Sequence, residues 1–468
     1  MEKEKSQAEL LKDKLFSDKK NAYLVMDDKE IDEVYDFCEG YKDFLTKAKI
    51  EREFVTETIA RARKMGFSEF DKNRKYAPGD KFYVLNRGKA VILAVMGSRP
   101  LDDGIRLTAA HIDSPRLDLK QHPLYEDREI AFFKTHYYGG IKKYQWSTVP
   151  MSLHGVVIRA DGSSVEVNIG EDEGDPQFCV CDLLIHLADE QMKRPANKII
   201  TGEELNILVG SRPFKDDKAS ELVKLNILNI LNEKYNIIED DFISAELEAV
   251  PAYKAVDIGF DRSLIGGYGQ DDKVCAYTQL EAVLETENPA YTCVSVFADK
   301  EEIGSMGNTG LESSYLKYFI MRLAEAHGYR GIDVISATQA LSADVNAAFD
   351  PTFPEPIEYR NGAKLNYGVA VTKYTGARGK SGTSDASAEF MGKVRKLFDE
   401  ANVQWQTGEL GKVDAGGGGT VAMYLANLDI DVIDVGVPVL SMHSPFEVTS
   451  KIDTFMAYKA FKCFFAEN

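Results

Sequence analysis

The chain has 468 residues, 44% of them hydrophobic and 28% charged, and 75 acidic against 56 basic side chains give a net charge of −19. At about 150 residues per domain, this length predicts two to three domains and a core that needs no disulfide staples. The acidic balance argues against a nucleic-acid partner, no window reaches the roughly 20 apolar residues of a membrane span, and the composition excludes collagen-like, disordered and cysteine-stapled classes.

The N-terminus, MEKEKSQAELLKDKLFSDKK, lacks the apolar stretch of a secretory signal. Six cysteines are scattered at 38, 179, 181, 275, 293 and 463. Only Cys179 and Cys181 are close, and C-x-C without a second pair is a weak zinc signal. Reduced core thiols in a cytoplasmic protein are the expectation.

The spacing of apolar residues predicts a helix over 49–67, stopped at Gly66. Short extended runs follow, and Val91–Val95 reads as a strand buried on both faces. From about 119 to 254 the chain is rich in Gly, Tyr, Val and Thr, with a turn at Asp161-Gly162 and a helical stretch at 219–235. This reads as a β-rich module inserted into a larger domain. Beyond 255, strand and helix signals alternate: VCAYTQLEAVLET is helical, YTCVSVFADKEEIGS is a strand running into a polar loop, and LKYFIMRLAEAHGY is helical. GIDVISATQALSADVN, GVAVTKY and LDIDVIDVGVPVLSMHSP read as strands or strand-to-loop junctions. Such alternation predicts an α/β domain, with a mostly parallel sheet and helices on both faces. Ligand sites in these sheets lie beyond the C-terminal ends of the strands.

Several candidate groups stand at those ends. His111 follows RLTAA in H-I-D, and Asp113, two residues on, shares its face in an extended segment. A carboxylate there can accept the second imidazole N–H, as partners of metal ligands do. A hydrogen-bonded structural histidine is the competing interpretation. His443, in VPVLSMHSP, carries the same two interpretations. Asp271 and Asp272 lie in GGYGQDDKVCAY, where acidic groups either cap a helix or bridge two cations. Glu301 and Glu302 follow the strand YTCVSVF. Adjacent extended residues point opposite ways, so one could bind a metal while the other serves as general base, or both could be solvated. Asp344, in ISATQALSADVN, reads alone as a turn residue. Taken together, imidazoles and carboxylates without thiolate suit Zn²⁺ or a similar divalent ion in a hydrolytic site. A bridging carboxylate implies two ions about 3.5–4 Å apart. KVDAGGGGTVA (412–422) lacks the G-K-[ST] ending of a P-loop, but backbone N–H groups such as that of Gly417 could hold a substrate carbonyl or carboxylate.

TAAHIDSPRLDLK, GGYGQDDKVCAY, DKEEIGSMG, SADVNAAFDP and SMHSP, in this order, resemble the M18 metalloaminopeptidases of the bacterial type, a family typified by aspartyl aminopeptidase. YYGGIKKYQWST in the inserted module matches a further family pattern. The resemblance covers nearly the whole chain. It implies a zinc-exopeptidase-like catalytic domain from 1–118 and 255–468, interrupted by a dimerisation domain at 119–254. It also implies two divalent ions per subunit, zinc first, with cobalt or manganese as alternatives. His111, Asp271 and Asp344 would hold one ion, and Asp271, Glu302 and His443 the other. Glu301 would be the general base and Asp113 would orient His111. Peptides with a free N-terminus would be the substrates, and dimers would assemble into a dodecamer.

Some positions depart from the family pattern. Asn346 and Asp350 stand where aspartyl-type members carry histidines, and Asp182 replaces the first histidine of P-H-L-A-I-H-L, whose second is retained as His186. These changes affect substrate and interface positions and leave the acidic preference open. Lys380, in ARGKSGTSD, is a candidate substrate-pocket cation or a solvated loop lysine. Another dinuclear hydrolase, a carboxypeptidase or deacylase, is the alternative function, and a catalytically silent assembly protein is a third.

Overall fold

A computed structural model of the chain describes residues 5–468. All six residues of the strand Ala90–Val95 are buried, so both faces of the sheet that holds it must be covered. Val91, Leu93 and Val95 enter one core, and Ile92 and Ala94 enter another. The helices Asp28–Lys47, Glu51–Lys64, Gln270–Leu284, Ala388–Glu400 and Lys451–Phe465 close the first face. Tyr315–Ala326, Gly331–Ser336 and Ala422–Ala426 close the second. The C-terminal helix buries Phe461, Phe464 and Phe465 at 0–1% exposure. Each such side chain contributes about 1.5–3 kcal/mol relative to an exposed one.

The sheet between these layers has nine strands. Its centre is a parallel run of Thr292–Ala298, Ile105–His111, Gln339–Ser342 and Asp431–Gly436. Antiparallel contacts enter on both sides of this run, at Ala90–Val95 and at Val369–Thr372. The architecture is therefore the expected α/β sheet with helices on both faces.

A seven-stranded sheet, antiparallel throughout, is built from strands between Arg116 and Pro251. Its core includes Leu117, Phe133, Trp146, Leu153, Val157 and Leu247. A third, five-stranded sheet joins Leu264–Gly267, Glu447–Ser450 and Pro438–Leu440 with two short edge strands.

The helix expected over 49–67 runs Glu51–Lys64, with Gly66 left-handed at φ 87° just beyond it. GIDVIS, expected to be extended, is instead the helix Gly331–Ser336, and the strand begins only at Gln339. Val334 and Ile335 pack into the second core from that helix, and an apolar run this short fits either period. The cysteines also correct the expectation of uniformly buried thiols: Cys38, Cys275 and Cys293 are buried, but Cys181 is exposed. No helix among the described residues is long and apolar enough to cross a membrane.

Candidate active site

Three neighbouring parallel strands deliver side chains to one edge of the central sheet. Ile105–His111 ends on His111 itself. Thr292–Ala298 runs into the tight turn Glu301–Ile303, and Gln339–Ser342 runs on to Asp344. Asp271 arrives at the start of the helix Gln270–Leu284, which follows the strand Leu264–Gly267. His443 comes from the loop after Pro438–Leu440. Carboxyl ends of strands are where α/β sheets gather ligands.

These side chains converge. His111 Nε2 lies 3.2 Å from Asp271 Oδ1, 3.8 Å from Glu301 Oε2 and 3.9 Å from Asp344 Oδ1. His443 Nε2 lies 3.1 Å from Asp271 Oδ2 and 3.6 Å from Glu302 Oε2. Asp271 thus offers one oxygen to each imidazole. Two triplets have donor atoms within 4.8 Å of one another: His111, Glu301 and Asp344, and His111, Asp271 and Glu302. They cut across the partition that the resemblance implies, because all these groups share one small space. Glu301 and Glu302 lie on a 3₁₀ turn rather than on extended backbone, so both can face the cluster.

The surrounding groups fix these orientations. His111 Nδ1 donates to the backbone carbonyl of Asp113 at 3.0 Å, with the Asp113 carboxylate 3.4 Å away. That carboxylate accepts the N–H groups of Glu301 and Glu302, each at 3.1 Å, and the Tyr138 hydroxyl at 2.8 Å. Asp113 therefore anchors the glutamate turn as well as the imidazole. His443 Nδ1 donates to the Gly140 carbonyl at 2.7 Å, which leaves Nε2 free to face the carboxylates. Gly139 and Gly140 belong to the inserted module's YYGG, and a Cβ on Gly139 would lie 3.1 Å from Glu302 Oε2. Glu447 accepts the backbone N–H groups of both Asp271 and His443.

Acidic groups outnumber cations here. Among the described residues, the ion pairs of Asp271, Glu301, Glu302 and Asp344 run only to the two imidazoles. Burial pushes the Glu301 carboxyl up to about 7, with Asp113 and Asp271 adding to the shift. Burial likewise holds Glu302 and Asp344 well above the carboxylate range. Of these four carboxyls only Asp271 is held low: burial opposes its charge, but the two facing imidazoles outweigh it. Asp271 Oδ1 and Glu302 Oε1 are buried and, among the described residues, accept no hydrogen bond. Orphaned carboxylate oxygens beside free imidazole nitrogens fit a divalent cation of the zinc type.

The other candidate positions lie elsewhere. Lys380 is exposed on a loop, pairs with Asp385 at 2.9 Å and lies over the Tyr374 ring. Gly417 packs against the backbone of that same loop, where a Cβ would come within 2.2 Å of Gly376 O. His186 is exposed, on the short turn Ile185–Leu187 of the inserted module. Asp182 bonds Gln191 locally, and Asp350 caps the N–H of Thr352. Asn346 is buried and donates to Thr372 Oγ1 at 2.9 Å, and its Oδ1 has no partner among the described residues. The reading of single residues missed Tyr138, the Gly140 carbonyl and Glu447. YYGG was visible as a pattern, but a backbone acceptor and a clamp on backbone amides leave no signature in residue type.

The chain matches the family model described as aminopeptidase I zinc metalloprotease (M18) over residues 44–465. It is 49% identical over 458 residues to a probable M18 family aminopeptidase 1 of Clostridium acetobutylicum, covering 96% of this chain and 98% of that one. The crystal structure of an M18-family aminopeptidase from Thermotoga maritima superposes with a TM-score of 0.92 at 43% identity, covering 97% of this chain and all of that one. Aminopeptidase I from C. acetobutylicum superposes at 0.90 with 45% identity, again over 97% of this chain and 100% of the other. With the sheet order, the convergent histidines and carboxylates and these likenesses in agreement, the chain belongs to the M18 family of zinc metalloaminopeptidases.

Proposed function

We propose that this protein is a dinuclear metal-dependent aminopeptidase that removes the N-terminal residue from peptides. The observation that carries the proposal is Asp271, whose two carboxylate oxygens lie 3.2 and 3.1 Å from His111 and His443 respectively. His111, Asp271 and Asp344 would hold one divalent ion, and Asp271, Glu302 and His443 the other, with zinc the first choice. When bound, such ions supply Lewis acidity and lower the pKa of water. Glu301, anchored through its N–H on Asp113, is the general base: it takes the proton of the attacking water and returns it to the leaving amine. The surplus of acidic groups around the site favours the ammonium of a free N-terminus. Lys380, Gly417 and His186 remain candidates for substrate contact.

In this reading 1–118 and 255–468 form the catalytic domain, and 119–254 is the inserted dimerisation domain. Leu183, Leu184, Ile185 and Leu187 of the insert are 48–68% exposed, an apolar run suited to a homo-oligomeric interface that builds toward a dodecamer. The proposed location is the cytoplasm, where the six free cysteines stay reduced.

The test is hydrolysis by zinc- or cobalt-loaded protein of a peptide panel that differs only at the first residue. Cleavage confined to free N-termini is expected. Equal cleavage of N-acetylated peptides, or cleavage from the C-terminus, would transfer the assignment to a carboxypeptidase or deacylase.

A further inference from the structure

We propose that Glu447 is the positioning residue that fixes the Asp271 carboxylate against His443, and that it thereby sets the affinity of the metal position those two residues share. This role rests on the dinuclear reading above.

Glu447 is 1% exposed and lies directly opposite Gly267 in the five-stranded sheet. Its Oε2 accepts the backbone N–H of Asp271 at 3.0 Å, and its Oε1 accepts that of His443 at 2.7 Å. One planar group thus clips together two residues 172 positions apart in sequence (443 − 271). The clip is itself held, because its backbone carbonyl accepts Gln270 Nε2 at 2.7 Å, and Gln270 also bonds Ile265 O at 3.1 Å. On the other side of Asp271, Ser114 Oγ donates to the Asp271 carbonyl at 3.0 Å and receives Lys273 Nζ at 2.6 Å. The Asp271 backbone is therefore fixed at both its N–H and its C=O.

His443 has more need of such a hold. Its φ is +63°, in the left-handed region that non-glycine residues occupy only when their surroundings impose it. Glu447 grips its N–H and Gly140 grips its Nδ1, so the imidazole has one backbone anchor and one ring anchor. The result is the 3.1 Å approach of Nε2 to Asp271 Oδ2. A carboxylate suits this task because both its oxygens accept. A glutamine would offer one acceptor and turn its NH₂ toward the other amide.

The variant is Glu447→Gln, with Asp453→Asn as the matched control. Asp453 is also buried and also accepts two backbone N–H groups, from Asn366 and Gly368 at 2.7 Å each, and among the described residues none of its hydrogen bonds involves a site residue. The readout is zinc affinity, by competition with a chromophoric chelator, together with kcat, KM and the melting temperature of the metal-free chain. E447Q is expected to bind one of two zinc ions about ten- to a hundred-fold more weakly. Its kcat at limiting zinc should fall while KM stays nearly constant. D453N should lower the metal-free melting temperature and leave both zinc affinities unchanged. Should E447Q fail to fold, Glu447→Asp keeps the charge on a shorter stem and is expected to show the same selective loss in smaller measure. Wild-type affinity at both positions in whichever variant folds overturns the proposal, as does an equal loss of zinc affinity in D453N. A wild-type chain that binds two ions but cleaves no peptide overturns the aminopeptidase reading, and the affinity comparison still decides Glu447.

Discussion

Two buried histidines, His111 and His154, are each 1% exposed and surrounded by carboxylates, yet their surroundings differ. His154 lies where the helix Glu51–Lys64 meets the inserted sheet. Its Nδ1 bonds Glu53 Oε1 at 2.7 Å, and its Nε2 contacts Ser152 Oγ at 2.8 Å and Glu171 Oε1 at 3.2 Å. Lys49 Nζ balances Glu171 at 2.7 Å and also donates to the Pro251 carbonyl. Every group in that cluster has a partner, and the charges nearly cancel. His111 commits only Nδ1, to the Asp113 carbonyl, while its Nε2 faces three carboxylates that, among the described residues, have no lysine or arginine paired to them. Burial and residue type are the same for both histidines; the balance of matched partners is what differs, and it makes His111 rather than His154 the candidate metal ligand.

Experiments that strip or unbalance the two clusters should split them apart. Chelation is the harshest: it should abolish hydrolysis and lower the melting temperature, since a ligand at a thousand times its Kd contributes about 4 kcal/mol to the folded state. Calorimetry with and without zinc reads the second effect, and an unchanged melting temperature would contradict a filled site. Glu301→Gln should cost about 10²–10⁴-fold in kcat while metal analysis shows full zinc content. Unchanged turnover at full loading would remove Glu301 as the base.

His154→Gln should act in the opposite sense, costing about 1–3 kcal/mol of stability with little change in kcat. This effect depends on pH. Burial alone would lower the His154 pKa, but Glu171 and Glu53 outweigh it and raise it. Its stabilisation is therefore complete below the unfolded value of about 6.5 and is lost as pH rises through the higher folded value. The melting-temperature gap between wild type and H154Q should be widest near pH 6 and should narrow on the alkaline side. A gap that widens with pH would refute the ion-paired assignment. The mildest variant is Gly139→Ala, at φ 76° and next to Glu302, which should cost about 1 kcal/mol and weaken activity a few-fold.

Much of this was legible in the chain itself. The doubly buried strand at 91–95, the helix over 49–67 and the alternation beyond 255 follow from apolar period. His111, Glu301, Glu302, Asp344 and His443 each stand where an apolar strand gives way to polar residues. The helix Gly331–Ser336 looks extended in sequence because six residues are too few for the period to show. The twenty-residue helix Asp28–Lys47 lies outside the elements expected from the sequence, although five of its residues, Val34 to Leu45, are buried. The H-I-D spacing points to Asp113 as a partner of His111, but it cannot show that the same carboxylate also carries the glutamate turn and Tyr138, contacts made across 25 and about 190 residues of chain.

Apolar period and residue type are local properties, and they suffice to name the side chains available for chemistry, their places at the ends of strands and the class of sheet that holds them. The folded chain alone makes Thr292–Ala298, Ile105–His111 and Gln339–Ser342 neighbours, so that their terminal acids and imidazole share one space. It also decided that Glu447 and the Gly140 carbonyl, silent in sequence, hold Asp271 and His443. The reason is that strand order and backbone hydrogen bonding are settled by which faces bury together, and that pairing joins residues whose separation along the chain carries no record of it.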